Sequence, residues 1–139
     1  MTSKEKIFSA LNFLIRLGLA SVFLLYGTAK LCGWQLTHFE STKRLNELHP
    51  AGLMWYFFSY SPLYAKFIGA SQVISALLLL FRKTKIVGAV LYFIIALNIF
   101  MLNLSFDITP VTLGLSFLLT VFSLIILMWE WPKLKLLFN

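Results

Sequence analysis

Cysteine is nearly absent from this chain. Cys32 is the one thiol in 139 residues, which excludes an intramolecular disulfide or a C-x-x-C redox pair. It stands at the end of an apolar run and is expected to be inert and partly buried. Charge is also scarce: Lys, Arg, Asp and Glu make up 12% of the chain, against roughly 25% in an average globular protein. Only 5 residues are acidic against 12 basic ones. The two histidines, His38 and His49, both lie in a polar segment, so no pair inside the apolar runs can hold haem or copper. The patterns G-x-x-x-x-G-K-[ST], H-E-x-x-H and G-x-S-x-G are missing. Nothing assembles a nucleophile, a base and an oxyanion hole, and catalysis by this chain alone is not expected.

What the chain has is apolar length. It is 60% hydrophobic, and four of its segments approach or exceed the roughly 20 apolar residues that cross a bilayer. The expected fold class is an all-α membrane protein, a four-transmembrane-helix bundle forming one domain over residues 1–139. Its spans run at about 7–31, 63–81, 86–106 and 111–131, with an extracytoplasmic segment at 32–61. The formal charge of +7 gathers at the ends of the apolar segments. It does not line one face as in a nucleic-acid binder, so it reads as topology.

The first span carries Asn12, Arg16, Tyr26 and Lys30. At about 100° per residue, Asn12, Arg16, Phe23, Tyr26, Gly27 and Lys30 fall within roughly 60° of one line. A mid-bilayer Arg facing lipid costs at least ~2.5–3.5 kcal/mol, so the other spans are expected to cover this stripe. The span's length and the central Arg16 argue against a cleaved signal peptide.

Between the first two spans, residues 32–50 are polar. Glu40 with Arg44, and Lys43 with Glu47, have the i,i+4 spacing of a helix, which predicts a short interfacial helix. Ala51 to Ser61 lies between Pro50 and Pro62, and is too short to span; it predicts an interfacial or re-entrant segment. Trp34, Trp55, Tyr56, Tyr60 and Tyr64 would form an aromatic belt at headgroup level.

In the second span Ala65, Gly69, Gln72 and Ala76 share a face, and small residues at that spacing let helices approach closely. The third span carries Gly88, Tyr92, Ala96, Ile99, Asn103 and Asp107 on one side. After a tight turn, Thr109 and Pro110 have helix-start chemistry. Thr112, Ser116, Ser123 and Glu130 line up in the fourth span, with Thr120 at the margin; Pro132, Lys133 and Lys135 are expected to end it. Four spans put both termini on one side, together with Lys4, Lys6, Arg82, Lys83, Lys85, Lys133 and Lys135. The positive-inside rule then predicts cytoplasmic termini in the cell's inner membrane.

Depth along the spans suggests which polar groups meet. Arg16, Gln72 and Asn98 can sit at similar heights, as a node that binds a headgroup, a quinone-like ring or a partner's polar group, or as helix-to-helix glue. Lys30 and Asp107, at the outer ends of their spans, form a second candidate pair closing the outer mouth, with Lys66 as a competitor. Glu130 reads as a solvated or paired terminus. His38, Glu40, Glu47 and His49 are weak metal candidates, opposed by the intervening Lys43 and Arg44; no metal is expected.

The run RLGLASVFLLYGTAKL from Arg16 to Leu31 resembles the opening of DoxX-like membrane proteins, which share an Arg, a Gly and a Lys at such spacings. KFIGASQVISALLLL from Lys66 to Leu80, with RKTK after Phe81, resembles the corresponding family segment, which often has Glu where this chain has Gln72. The resemblance implies a compact four-helix bundle in which Arg16, Gly27, Lys30, Gly69 and Gln72 carry over. It also implies roles of mixed kind: accompanying a thiosulfate:quinone oxidoreductase, membrane thiol and superoxide defence, or receptor assembly. A proton carried by the family Glu would have no counterpart at Gln72.

The leading expectation is a non-catalytic accessory or assembly subunit in the lipid bilayer. It would bind a membrane protein, a second copy or a lipid-soluble molecule such as a quinone or lipid through Arg16, Tyr26, Lys30, Gln72, Asn98 and Asp107, with Gly27 and Gly69 serving close packing. A transporter or quinone-linked oxidoreductase subunit with an intramembrane polar pocket, and a purely structural subunit, are the alternatives.

Overall fold

The computed structural model of the chain describes residues 2–35, 39 and 42–136. Helix α1, Ser3–Leu31, begins four residues before the apolar run because Thr2 and Glu5 form a capping box. Thr2 Oγ1 accepts from the Glu5 N–H at 3.4 Å and Glu5 Oε2 accepts from the Thr2 N–H at 2.7 Å. At its other end Gly33 takes a left-handed φ of 74°. The Gly33 N–H then donates to Lys30 O and the Trp34 N–H to Ala29 O, the paired bonds of a Schellman stop.

Helix α2, Pro50–Tyr60, and helix α3, Pro62–Leu80, each start with a proline in the first turn, where its missing N–H costs nothing. Helix α4 is Lys85–Ser105 and α5 is Pro110–Leu136. Thr109 Oγ1 accepts from the Thr112 N–H at 3.4 Å, as its place before Pro110 predicts. Among the described residues every regular element is helical, and α1, α3, α4 and α5 are long and apolar enough to cross a membrane. This is a multi-pass, four-helix membrane protein, and its outward surface of Ile, Leu, Phe and Val side chains implies a lipid environment.

Local expectations differ from the structure in three places. The short helix expected in 32–50 is, among the described residues, one 3₁₀ turn at Leu45–Glu47. Glu47 closes that turn on the Arg44 backbone N–H, and Glu40 lies outside the described residues. Cys32, expected to be partly buried, is exposed, whereas the aromatic segment after Pro50 is helical as α2 and, as expected, too short to span. Helix α5 continues through Pro132 to Leu136. A proline this close to an end removes one backbone bond, and the last turn is tied by Lys133 Nζ to Glu130 Oε2 at 3.0 Å.

The stripe on α1 faces inward: Asn12, Arg16, Phe23, Gly27 and Lys30 are all buried. Gly27 meets Gly69, and a Cβ on either glycine would come within 2.8 Å of the other's carbonyl oxygen. Only glycine permits this crossing of α1 and α3. Gly88 does the same for α4, since a Cβ there would overlap the backbone of Leu78 and Leu79. Between these crossings lies a dry layer of Leu19, Ala20, Phe23, Leu79, Tyr92 and Ile126. Phe23 and Tyr92 stack at 3.7 Å between ring centroids, and the Tyr92 hydroxyl donates to Leu19 O at 2.9 Å. Phe8 on α1 touches Trp129 on α5, so both ends of the bundle's chain path lie at one end, here termed the terminal end. The opposite end, with the α1–α2 and α4–α5 connections, is the loop end.

Candidate functional site

Lys30 occupies the last turn of α1, where the Gly27–Gly69 crossing brings α3 against it. Its ammonium donates to Gln72 Oε1 at 3.0 Å, to Gln35 Oε1 at 3.1 Å and, weakly, to Tyr26 O at 3.5 Å. The Tyr26 ring lies 5.6 Å away as a cation–π neighbour. Lys30 is only 7% exposed, yet its acceptors among the described residues are all neutral. Among the described residues the ion pairs involve His49, Lys85 and Lys133, and no carboxylate faces Lys30. A buried ammonium ordinarily requires a counter-charge.

Beside it opens a cavity of about 410 Å³ between the helices. Phe23, Phe58, Tyr64, Ile95 and Leu119 make its walls apolar, while Lys30, Gln72, Ser71, Asn98, Asn103 and Ser116 place polar atoms in them. Asn103 is held by Ser116 Oγ at 3.0 Å and Thr112 O at 3.3 Å. The size and the mix of surfaces suit an amphiphilic small molecule. The long bond to Tyr26 O is the one that a ligand oxygen would replace, leaving the two carboxamides to fix the ammonium.

Sequence reasoning brought together some of these groups and misplaced others. Tyr26, Lys30, Gln72 and Asn98 do line one cavity. Arg16 does not join Gln72 or Asn98. Its Nε donates to Leu79 O at 2.8 Å and its Nη2 to Leu80 O at 2.6 Å. The guanidinium thus satisfies the last carbonyls of α3, where the helix dipole favours a cation. It sits fourteen residues, about 21 Å of helix, from Lys30. Asp107 does not pair with Lys30 either. It tops the α4–α5 turn with a left-handed φ of 50°, exposed, with its Oδ2 4.0 Å from His49 Nε2. Helix α1 packs on α3 and only lightly on α5, so Lys30 runs inward to Gln72 and does not reach across to that turn. Lys66 is exposed.

His38 and Glu40 lie outside the described residues; Glu47 accepts from Arg44 N–H and His49 faces Asp107. Gln35 follows the span, and a loop residue carries no periodic signal, so its spacing does not point to Lys30. Trp55 and Tyr64, expected only as a headgroup belt, line the cavity, whereas Trp34 and Tyr60 remain exposed.

No family model matches the chain, and no solved structure matches it. A curated relative does: the uncharacterised protein YwoB of Bacillus subtilis (strain 168) is 37% identical over 126 residues, covering 89% of this chain and 79% of YwoB. On that likeness, over nearly the whole four-helix unit that builds the cavity, the chain belongs to the same family as YwoB.

Proposed function

We propose that this protein is a non-catalytic accessory subunit of the cell's inner membrane that holds a lipid-soluble molecule in the loop-end cavity. The ligand carries a negatively charged or strongly accepting oxygen, as a quinone or an acidic lipid does, and that oxygen meets the Lys30 ammonium. One observation carries this reading: a buried ammonium whose acceptors among the described residues are all neutral lies in the wall of an apolar cavity. Gln72 and Gln35 orient the ammonium, and Asn98 faces the ligand from α4. The DoxX-like pattern of Arg16, Gly27, Lys30, Gly69 and Gln72 agrees with a role beside a redox or assembly process. The basic residues at the terminal end favour cytoplasmic termini. The dry Phe23–Tyr92 layer favours retention of the molecule over its passage through the bundle, and so a binding subunit over a transporter.

The test is native mass spectrometry of the protein extracted gently from its own membrane. A co-purifying molecule of a few hundred daltons, lost on Lys30→Gln and kept on Lys66→Gln, is the expected result. Wild type that flies empty, or a bound molecule indifferent to Lys30→Gln, would overturn the reading.

A further inference from the structure

A second cavity, of about 680 Å³, lies at the terminal end, beyond the dry layer. Its wall holds four cations, Arg16, Arg82, Lys85 and Lys133, against one carboxylate, Glu130. Glu130 is 5% exposed and is shared between Lys85 and Lys133. One carboxylate therefore neutralises only part of the cluster, and the cavity wall keeps a net positive charge.

Two inner groups have capacity to spare. Asn12 is 7% exposed and lines this cavity, yet among the described residues its carboxamide has no hydrogen-bond partner. Arg16 is 4% exposed and spends Nε and Nη2 on Leu79 O and Leu80 O, which leaves Nη1 unused. No fully enclosed side-chain nitrogen or oxygen lacks a partner among the described residues, so both spare groups open on the cavity. Buried polar atoms are rarely left unmet, and a carboxamide N–H beside a guanidinium N–H suits the oxygens of one tetrahedral anion. Phe8 and Phe13 on α1 border the same space and give an attached acyl chain an apolar exit toward lipid.

We infer that the terminal-end cavity binds a phosphate group, with Asn12 and Arg16 Nη1 as inner donors and Arg82, Lys85 and Lys133 around the mouth. Glu130 opposes the anion and limits its affinity, which suits an exchangeable ligand. The phosphate belongs either to an anionic phospholipid headgroup, as in other basic pockets at the membrane surface, or to a free phosphate ion. This site is separate from the loop-end cavity and stands or falls without it.

The experiment uses the purified full chain in detergent with three probes: phosphatidylglycerol, phosphatidylcholine and inorganic phosphate. Lipid retention is read by native mass spectrometry and phosphate binding by the rise in unfolding temperature. The variants are Asn12→Leu, which replaces an unpartnered amide by an apolar side chain of similar size, and Arg82→Gln at an exposed position. Lys66→Gln removes one charge at the opposite end and controls for net charge. The expected result is one phosphatidylglycerol held in preference to phosphatidylcholine, weakened roughly tenfold by each cavity variant, the effect of losing one hydrogen bond to a charged group. If the lipids are held alike but inorganic phosphate stabilises wild type and not the cavity variants, the phosphate is a free ion. If no probe separates wild type from Asn12→Leu and Arg82→Gln, or if Lys66→Gln weakens binding as much, the inference is overturned.

Discussion

Arg16 and Lys30 are buried cations on one face of one helix, and the chain treats them in opposite ways. The guanidinium at the terminal end is fastened to main-chain carbonyls of α3, acceptors that α3 must present wherever it stops. The ammonium at the loop end rests on two glutamine side chains, acceptors that need not be there for any helix to form. The first arrangement completes the fold; the second sets a charge in the wall of a cavity. Where the backbone claims a buried charge, only its spare donors are left for a ligand; where the backbone makes no claim, the whole charge is.

The largest effect should come from removing the fastened cation. Arg16→Met strips two charge-assisted bonds and leaves the end of α3 uncapped, which should lower stability by about 3 kcal/mol or more. Thermal unfolding of the purified protein measures it, and no second substitution at a side chain can rescue it, because the orphaned partners are backbone carbonyls. At the loop end the sign should reverse. Replacing Lys30 and its buried acceptor together, Lys30→Met with Gln72→Leu, removes a desolvated charge and the enclosed oxygen it would orphan, while Gln35, half-buried in the loop, can turn to solvent. Such paired replacements are often neutral or stabilising, and a gain of about 1–2 kcal/mol is expected, with the loop-end ligand lost. A fall in stability of the double variant would break the contrast, for Lys30 would then be as structural as Arg16.

The smallest effect sharpens the boundary between the two ends. Tyr92→Phe keeps the ring stacked on Phe23 and deletes only the bond to Leu19 O, so a loss of about 1 kcal/mol is expected. Ligand retention at either end should be unchanged. A change in both would mean that the dry layer couples the cavities.

Much of this architecture could be read from residue spacing. The inward stripe from Asn12 to Lys30, the α3 face of Ala65, Gly69, Gln72 and Ala76, and the line of hydroxyls on α5 follow a helical period, and all are interior faces. The partners were harder to read. Arg16 bonds to carbonyl oxygens that every residue possesses, so Leu79 and Leu80 gave no sign of the role. Asp107 is aligned with Lys30 by depth alone, and depth does not say which helices are neighbours. Glu130 falls near the predicted end of the fourth span, where a solvated or paired terminus is the expectation, and it is paired with Lys85 and Lys133. It is buried because α5 runs on to Leu136 and Lys85 closes over it. Gln35 reaches Lys30 only because the chain turns back at Gly33.

The fastening of Arg16 also sets an order of events during synthesis. Its acceptor at Leu80 lies 64 residues further along the chain. At roughly 5–20 residues per second, α1 waits some 3–13 s for its partner. Arg16 lies well inside the span, where a mid-bilayer Arg facing lipid costs at least ~2.5–3.5 kcal/mol, so α1 is poorly suited to enter lipid alone in that interval. The bond to Leu80 thus favours joint entry of α1 and α3 into the bilayer over entry of α1 by itself.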